Sequence, residues 1–307
     1  MKTLKQVVIV MAIIAVFILA IAGGIKMAKG ALRAMARCAI QSVEAGRAGT
    51  VAVDERKSIP IKSINRIAIN AVSENITIRE ASGDNITAWF HGNISSASPD
   101  DRPHLKVDQQ GDTAEIRIER RIKEQMHVNL GLTQNNAVLE VSIPKQYAGK
   151  LSAESVSADI TLESHGYRKL ALTTVSGDIE ADAVKAGKLT LYTTSGDVRI
   201  QRLAIERAEI HSVSGDVAIT GDVDAYSTSG SIDIETVSGD VRLGMSPNAK
   251  FTLDARSTSG NVTCDFPITL TSSNTDVGEH NLIGTVGSGK GAVTARTVSG
   301  DIEITRN

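Results

Sequence analysis

The sequence has 307 residues, of which 41% are hydrophobic and 22% charged, a balance that excludes an intrinsically disordered chain and allows one or two domains with a real core. Its two cysteines exclude a disulfide framework. Residues 1–50 hold seven of the 33 basic residues and one of the 35 acidic residues, so the remainder has a net charge of −8, which argues against nucleic acid as a partner. Only 3% of residues are aromatic, which favours a core of Ile, Val, Leu and Ala in many short, similar strands.

The N-terminus has the composition of a membrane anchor. Residues 6–25 contain no charged side chain and match the roughly 20 residues that a helix needs to cross a bilayer. We therefore predict a transmembrane anchor over residues 1–25. A cleaved signal peptide is the alternative, because Ala20-Ile21-Ala22 resembles a cleavage site, but the apolar run continues beyond it.

Residues 26–50 read as a basic amphipathic stem and linker. Apolar residues recur there at spacings of three and four, with Lys26, Lys29, Arg33 and Arg37 on another side. Such a stem either lies on anionic headgroups or forms a helical stalk. The acidic, Ser/Thr-rich body favours a single-pass cell-membrane protein with an extracytoplasmic β-domain.

The segment from residue 51 to 150 shows the alternation of β-strands. Short runs with apolar side chains at every second position, such as Ile67-Ala-Ile69 and Ile76-Thr-Ile78, are separated by Gly, Asn, Asp and Pro. We expect an N-terminal β-region here, without long helices.

A repeat occupies residues 151–307. Ser-Gly-Asp followed by Ile or Val recurs at Ser176, Ser195 and Ser214, at intervals of about 19 residues that become irregular towards the C-terminus. This period predicts an all-β fold, a single-stranded parallel β-helix or solenoid behind one transmembrane helix. The predicted repeat corners are Gly177, Asp178, Gly196, Asp197, Gly215, Asp216, Gly239, Asp240, Gly300 and Asp301.

Each corner residue has an expected role. Glycine would supply a positive φ, aspartate an Asx-type hydrogen bond, and the next Ile or Val would restart a strand. A hydroxyl residue stands two positions before each corner serine, and we predict that these residues stack as hydrogen-bonded ladders. They are Thr174, Thr193, Ser212, Ser227, Thr236, Ser257 and Thr297.

On these residues the chain resembles the "putative adhesin" family of bacterial envelope proteins, the LiaG-like domain of unknown function. The resemblance covers residue 60 to the end and includes Val141-Ser-Ile143-Pro144, Asp265-Phe266-Pro267 and the closing Thr297-Val-Ser-Gly-Asp-Ile302. It implies a single-stranded β-helix with an open N-terminal β-region, a role in envelope stress or surface contact, and no catalytic residue.

Two motifs suggest chemistry, and both have simpler interpretations. Residues 284–291 approach a P-loop, but Gly291 replaces the Ser or Thr that binds magnesium and a strand-like pattern follows, so we predict a glycine-rich turn. The aspartates of the repeat would form a column that either binds cations or caps the corners, and capping is favoured. No cofactor or metal site is predicted.

We therefore expect a non-enzymatic, membrane-anchored envelope protein, an adhesin-like scaffold or envelope-stress sensor that binds a surface component, a surface polymer or a membrane partner. The alternatives are a filament subunit and a polysaccharide-active β-helix enzyme. The last repeat, Ser299 to Ile304, is followed by three residues only. Its strand edge is either kept soluble by Asp301, Glu303 and Arg306, or covered by residues 265–291, or left open for self-association or a partner strand.

Overall fold

The computed structural model describes residues 49–96, 102–119, 136–163, 165–225, 230–274 and 280–307. Every regular element in these segments is a β-strand, as the sequence predicts. The predicted anchor over residues 1–25 and nearly all of the stem lie outside the described residues. Within the described segments, no helix has the length and hydropathy needed to cross a membrane.

The described segments contain twenty-one strands. They are β1 (Gly49–Pro60), β2 (Arg66–Asn70), β3 (Asn75–Ala81), β4 (Asn85–Ser96), β5 (His104–Gln110), β6 (Thr113–Glu119), β7 (Val138–Pro144), β8 (Lys150–Glu154), β9 (Ile160–Leu162), β10 (His165–Thr173), β11 (Ile179–Ser195), β12 (Val198–Ser214), β13 (Val217–Ala225), β14 (Ser231–Glu235), β15 (Val241–Met245), β16 (Phe251–Ser257), β17 (Val262–Cys264), β18 (Ile268–Asn274), β19 (His280–Val286), β20 (Gly291–Thr297) and β21 (Ile302–Arg306).

One compact unit, Ala52–Asn93, Pro103–Glu119 and Asn135–Asn307, contains two stacks of parallel strands. The first stack runs β6, β2, β8, β10, the second halves of β11 and β12, then β14, β20 and β16. The second runs β7, β3, β9, the first halves of β11 and β12, then β13, β15, β21 and β17. Each coil of this solenoid contributes one strand to each stack.

The core follows from the alternation in the sequence. The apolar residue that follows each corner aligns with its equivalents on the neighbouring coils and is fully buried, at 0% exposure. This row consists of Ile160, Ile179, Val198, Val217, Val241 and Ile302. Burying each such side chain is worth about 1.5–3 kcal/mol. The stacking of similar β-branched aliphatic side chains explains why the chain needs few aromatic residues.

The strands before and after residue 150 share the same two sheets. β2 pairs with β6 on one side and β8 on the other, and β3 lies between β7 and β9. Antiparallel strands lie next to both ends of the first stack: β5 pairs with β6, and β19 pairs with β16 and β18. On the second stack, β4 pairs antiparallel with β7.

The order of the last coils departs from the order of the chain. β20 lies between β14 and β16, and β21 lies between β15 and β17. The three interpretations of Ser299 to Ile304 all assume that the last repeat is a strand edge. This assumption is wrong, because β21 has a hydrogen-bonded neighbour on each side. In the described part of residues 265–291, strands β18 and β19 extend the first stack beyond β16 and do not pair with β21.

Candidate functional site

The aspartates of the repeat corners form one continuous column, which we call the corner column. Oδ1 of each member accepts the backbone N–H of the equivalent residue on the next coil. The bonds run from Asp159 to Asn75 (3.2 Å), Asp178 to Asp159 (2.9 Å), Asp197 to Asp178 (2.8 Å), Asp216 to Asp197 (2.9 Å), Asp240 to Asp216 (2.9 Å), Asp301 to Asp240 (2.9 Å) and Asn261 to Asp301 (2.7 Å). The predicted Asx bond within one corner is thus replaced by a bond between coils.

Two arginines offset the repulsion between stacked carboxylates. Arg199 bridges Asp178 and Asp197, with Nη1 at 3.3 Å from the Asp178 carboxylate. Arg242 pairs in the same way with Asp240 at 2.7 Å and Asp216 at 3.7 Å. These ion pairs and the backbone donors give the corner carboxylates a structural role that needs no metal ion.

The corner glycines are required by close approach more than by φ. A Cβ at Gly196 would lie 2.1 Å from the carbonyl oxygen of Gly177, and a Cβ at Gly177 would lie 2.2 Å from that of Ala158. The same contact recurs at Gly215, Gly239 and Gly300, each at 2.1 Å. The predicted positive φ is wrong at Gly177 and Gly239, and at the other three φ is 154–159°. Each corner therefore stacks directly on the carbonyl of its neighbour.

The hydroxyl residues are buried in register, but they do not bond to one another as predicted. Thr174, Thr297 and Ser257 instead donate to the backbone carbonyls of Ala158, Gly239 and Gly300. The hydroxyls of Thr193, Ser212 and Thr236 have no partner among the described residues. Ser227 lies outside the described residues. Three of the six described hydroxyls therefore bond to the backbone of a neighbouring corner, and all six residues are buried.

The corner column ends in a shallow pocket of about 280 Å³. It is lined by Asp240, Arg242, Asn261, Thr263, Asp301 and Glu303. Within the described segments, no three His, Cys, Asp or Glu side chains converge in a way that could hold a metal ion. The P-loop-like segment is the predicted turn: β19 ends at Val286 and β20 begins at Gly291, with φ near 60° at Gly287 and Gly289.

A different surface was missed by sequence reasoning. On the outer face of the first stack, Arg66, Lys150, Lys169, Lys188 and Arg207 occupy the same register position on five successive coils. We call these five residues the basic row. The last four recur every 19 residues, so the repeat that revealed the corners contained the signal for the row as well.

Within the described part of the chain, four of the five cations of the basic row are not neutralised by a neighbouring carboxylate. Lys188 pairs with Glu209 at 2.7 Å, whereas the other four cations have no carboxylate within ion-pair distance among the described residues. Adjacent coils lie about 4.8 Å apart, so two neighbouring unit charges repel by about 1 kcal/mol in bulk water and more at a protein surface. The next outward position holds small residues on four of these coils, Ala68, Ser152, Ala171 and Thr190.

The C-terminal half of the same face has the opposite character, because its charges are paired. Arg296 contacts Glu235 and Asp254, and Arg256 also contacts Asp254. The hydrogen bond from Arg256 lowers the pKa of the Asp254 carboxyl. Asp233 is the exception: burial, and then the nearby Glu235, raises the pKa of its carboxyl. Among the described residues of this face, the cations without a carboxylate partner therefore lie in its N-terminal half.

Comparison with known proteins identifies the family. The model of the Toastrack DUF4097 family matches residues 64–305. The chain belongs to this family. The Toastrack match begins before β2 and ends within β21, so it includes the strands on both sides of residue 150 and the inserted C-terminal coil. No curated protein matches the chain.

Solved structures similar to this Toastrack chain share little sequence with it. A "putative adhesin" of Bacteroides fragilis is 14% identical, with 82% of this chain and 97% of that chain covered and a TM-score of 0.42. A "putative cell adhesion protein" of Clostridium sporogenes is 12% identical, with 84% and 100% covered and a TM-score of 0.38. A "putative lipid binding protein" of Parabacteroides distasonis is 12% identical, with 82% and 96% covered and a TM-score of 0.39.

Proposed function

We propose that this Toastrack protein is a non-enzymatic binding protein of the cell envelope. Residues 1–25 hold it on the membrane, and the β-domain serves as an adhesin-like scaffold outside the cytoplasm. In this proposal the faces of the solenoid bind a surface component, and no side chain catalyses a reaction.

The observation that carries the proposal is the register of the coils. Because equivalent positions align over successive coils, surface side chains form straight rows, and a stack of such rows is an extended binding surface. The basic row and the corner column are both of this kind. The corner carboxylates and glycines are used between coils, which leaves the outer faces as the surfaces available to a partner.

Fractionation and protease treatment of cells that express the full chain test the proposal. We expect the protein in the membrane pellet after an alkaline wash, and we expect protease added to intact cells to digest the β-domain. Deletion of residues 1–25 should release the protein from the pellet. Recovery of the full chain in the soluble fraction, or complete protection from protease in intact cells, would contradict the proposed location.

Self-association is a second candidate function, favoured by one strand. β18 pairs only with β19 among the described strands, carries no charged residue and exposes 53% of Leu270. An uncharged strand edge of this length is a template for pairing with a second copy. Sedimentation of the full chain in detergent tests this: Leu270→Lys should dissociate oligomers, whereas Val237→Lys, at a residue 50% exposed, should not. A wild-type chain that is monomeric at high concentration would exclude this function.

A further inference from the structure

We propose that the basic row binds a linear polyanion, a polymer with one carboxylate or phosphate group per repeat, which lies along the direction in which the coils stack. This inference rests on the proposed function and names the chemical class of the surface component. The row places five cations in single file, and at the coil spacing of about 4.8 Å it extends over roughly 19 Å.

The row stacks cations on five successive coils, and four of these five lack the carboxylate partner that several arginines of the described β-domain have. Arg79, Arg117, Arg199, Arg242 and Arg296 each contact at least one carboxylate. Arg66, Lys150, Lys169 and Arg207 contact none among the described residues, although each has another cation beside it on the next coil. A bound anion would relieve this repulsion, and the fold itself gains nothing from it.

The surroundings of the row favour a narrow ligand. Ala68, Ser152, Ala171 and Thr190 form a low strip beside it, on which a polymer chain can lie with its anionic groups turned towards the row. Glu209 ends this strip at the coil of Arg207. A ligand longer than the row would therefore meet a carboxylate at that end.

The residue types suit oxyanions. The guanidinium groups of Arg66 and Arg207, at the two ends of the row, can bind a carboxylate or phosphate through two parallel hydrogen bonds. The lysines between them act as compact charges that tolerate a change in the position of each anionic group. The row thus recognises spaced negative charge without demanding one particular monomer.

A membrane surface is the less favoured partner. Binding to a bilayer needs a broad basic face, commonly with apolar side chains that enter the headgroup region. The row is one residue wide, and the exposed large hydrophobic residues of the described segments, Val237, Leu270 and Val298, lie outside it. Lipid binding is therefore the competing outcome that the test must distinguish.

The test compares two variants of the full chain in detergent. The row variant carries Lys150→Gln, Lys169→Gln and Arg207→Gln, and leaves Lys188 because of its ion pair with Glu209. The control variant carries Lys57→Gln, Lys250→Gln and Lys290→Gln, which remove the same charge from three exposed lysines outside the row. Equal melting temperatures establish that both variants are folded. Binding is measured at low salt to sodium polygalacturonate and sodium polyphosphate, with neutral dextran as the blank.

We expect the wild type and the control variant to bind at least one polyanion with similar affinity, the row variant to bind it at least about tenfold more weakly, and its affinity to depend less on salt. Equal weakening in both variants, or none in either, would overturn the assignment to the row. Row-dependent binding to vesicles with anionic lipid, without binding to either polymer, would replace the proposed polymer ligand by a membrane surface.

Retention on purified cell envelopes separates the polyanion proposal from the proposed envelope function. A wild type that is retained there but binds neither polymer refutes only the polyanion, and one that is not retained refutes the envelope function too.

Discussion

The backbone N–H of Asp301 donates a hydrogen bond of 2.9 Å to Oδ1 of Asp240, although 61 residues separate the two along the chain. On the other side, Oδ1 of Asp301 accepts the N–H of Asn261 at 2.7 Å. The last corner of the sequence is therefore an internal corner of the column. The C-terminal strand closes the sheet between two coils that were formed from earlier sequence.

The insertion of β21 predicts a high cost for shortening its inward side chains. Ile304 is fully buried, so Ile304→Ala should lower the free energy of unfolding by about 2–5 kcal/mol. Leu270→Ala, on a strand edge and at a residue 53% exposed, should change it by less than about 0.5 kcal/mol. Urea unfolding of the full chain measures both. Equal, small effects would mean that β21 is itself an edge.

The corner glycines should not tolerate a methyl group. In Gly196→Ala the new Cβ would lie 2.1 Å from the carbonyl oxygen of Gly177, so neighbouring coils must separate, at a cost of about 1–3 kcal/mol. Gly166→Ala is the matched control, because nothing lies within 4 Å of its Cβ position. Thermal unfolding should show a lower melting temperature for the first variant only. A melting temperature that is unchanged by Gly196→Ala would refute the direct stacking of corners.

The role of the corner aspartates as acceptors can be separated from a role as cation ligands. Asp197→Ala removes the acceptor of the Asp216 N–H and should cost about 1–3 kcal/mol. Asp197→Asn keeps an oxygen there, as Asn75 does for the Asp159 N–H, and should cost less. Added calcium should leave the melting temperature of the wild type unchanged. A calcium-dependent increase that is lost in Asp197→Asn would favour the cation column.

Sequence reasoning reached the repeat and the strand type because both are local. The period of 19 and the alternation of apolar residues identify coils, and each corner motif is contained in three residues. The partners of those corners are not local. Gly177 lies against the carbonyl of Ala158, and Asp301 donates a hydrogen bond to Asp240. Both contacts depend on which coil lies next to which.

The same limit explains the error at the C-terminus. A good copy of the repeat at the end of a sequence suggests the end of a stack, because sequential coils usually lie side by side. Here β16, β19 and β18 form the end of the first stack and β17 forms the end of the second. β21 enters between β15 and β17, and its two neighbouring corners are 61 residues and about 40 residues away in the chain. Periodicity carries no information on such an exchange of order. The same periodicity does contain the basic row, because a basic residue recurs at a second fixed position of the 19-residue repeat.

Asp233 gives a pH prediction with a definite sign. Its Oδ1 is buried without a partner among the described residues, and burial raises the pKa of its carboxyl above the usual 3.8. The ionised form therefore destabilises the fold at pH 7, and this penalty decreases as the pH falls through the raised value and vanishes below the usual one. Asp233→Asn should raise the melting temperature at pH 7, and the difference from wild type should disappear near the usual pKa. A lower melting temperature at pH 7 would mean that the carboxylate gains more from Arg296 and His211 than it loses by burial.

The order of the last coils is the central structural claim, because every row on the surface depends on the register of the coils. Glu303 aligns with Arg242 on one side and with Thr263 on the other. Cα atoms of adjacent coils are close enough for a disulfide, and those two coils apart are not. In a background in which both native cysteines are replaced, Cys38→Ser and Cys264→Ser, oxidation should therefore cross-link Arg242→Cys with Glu303→Cys and Thr263→Cys with Glu303→Cys, but not Arg242→Cys with Thr263→Cys. Cross-linking of the third pair without the second would place β17 beside β15 and contradict the account.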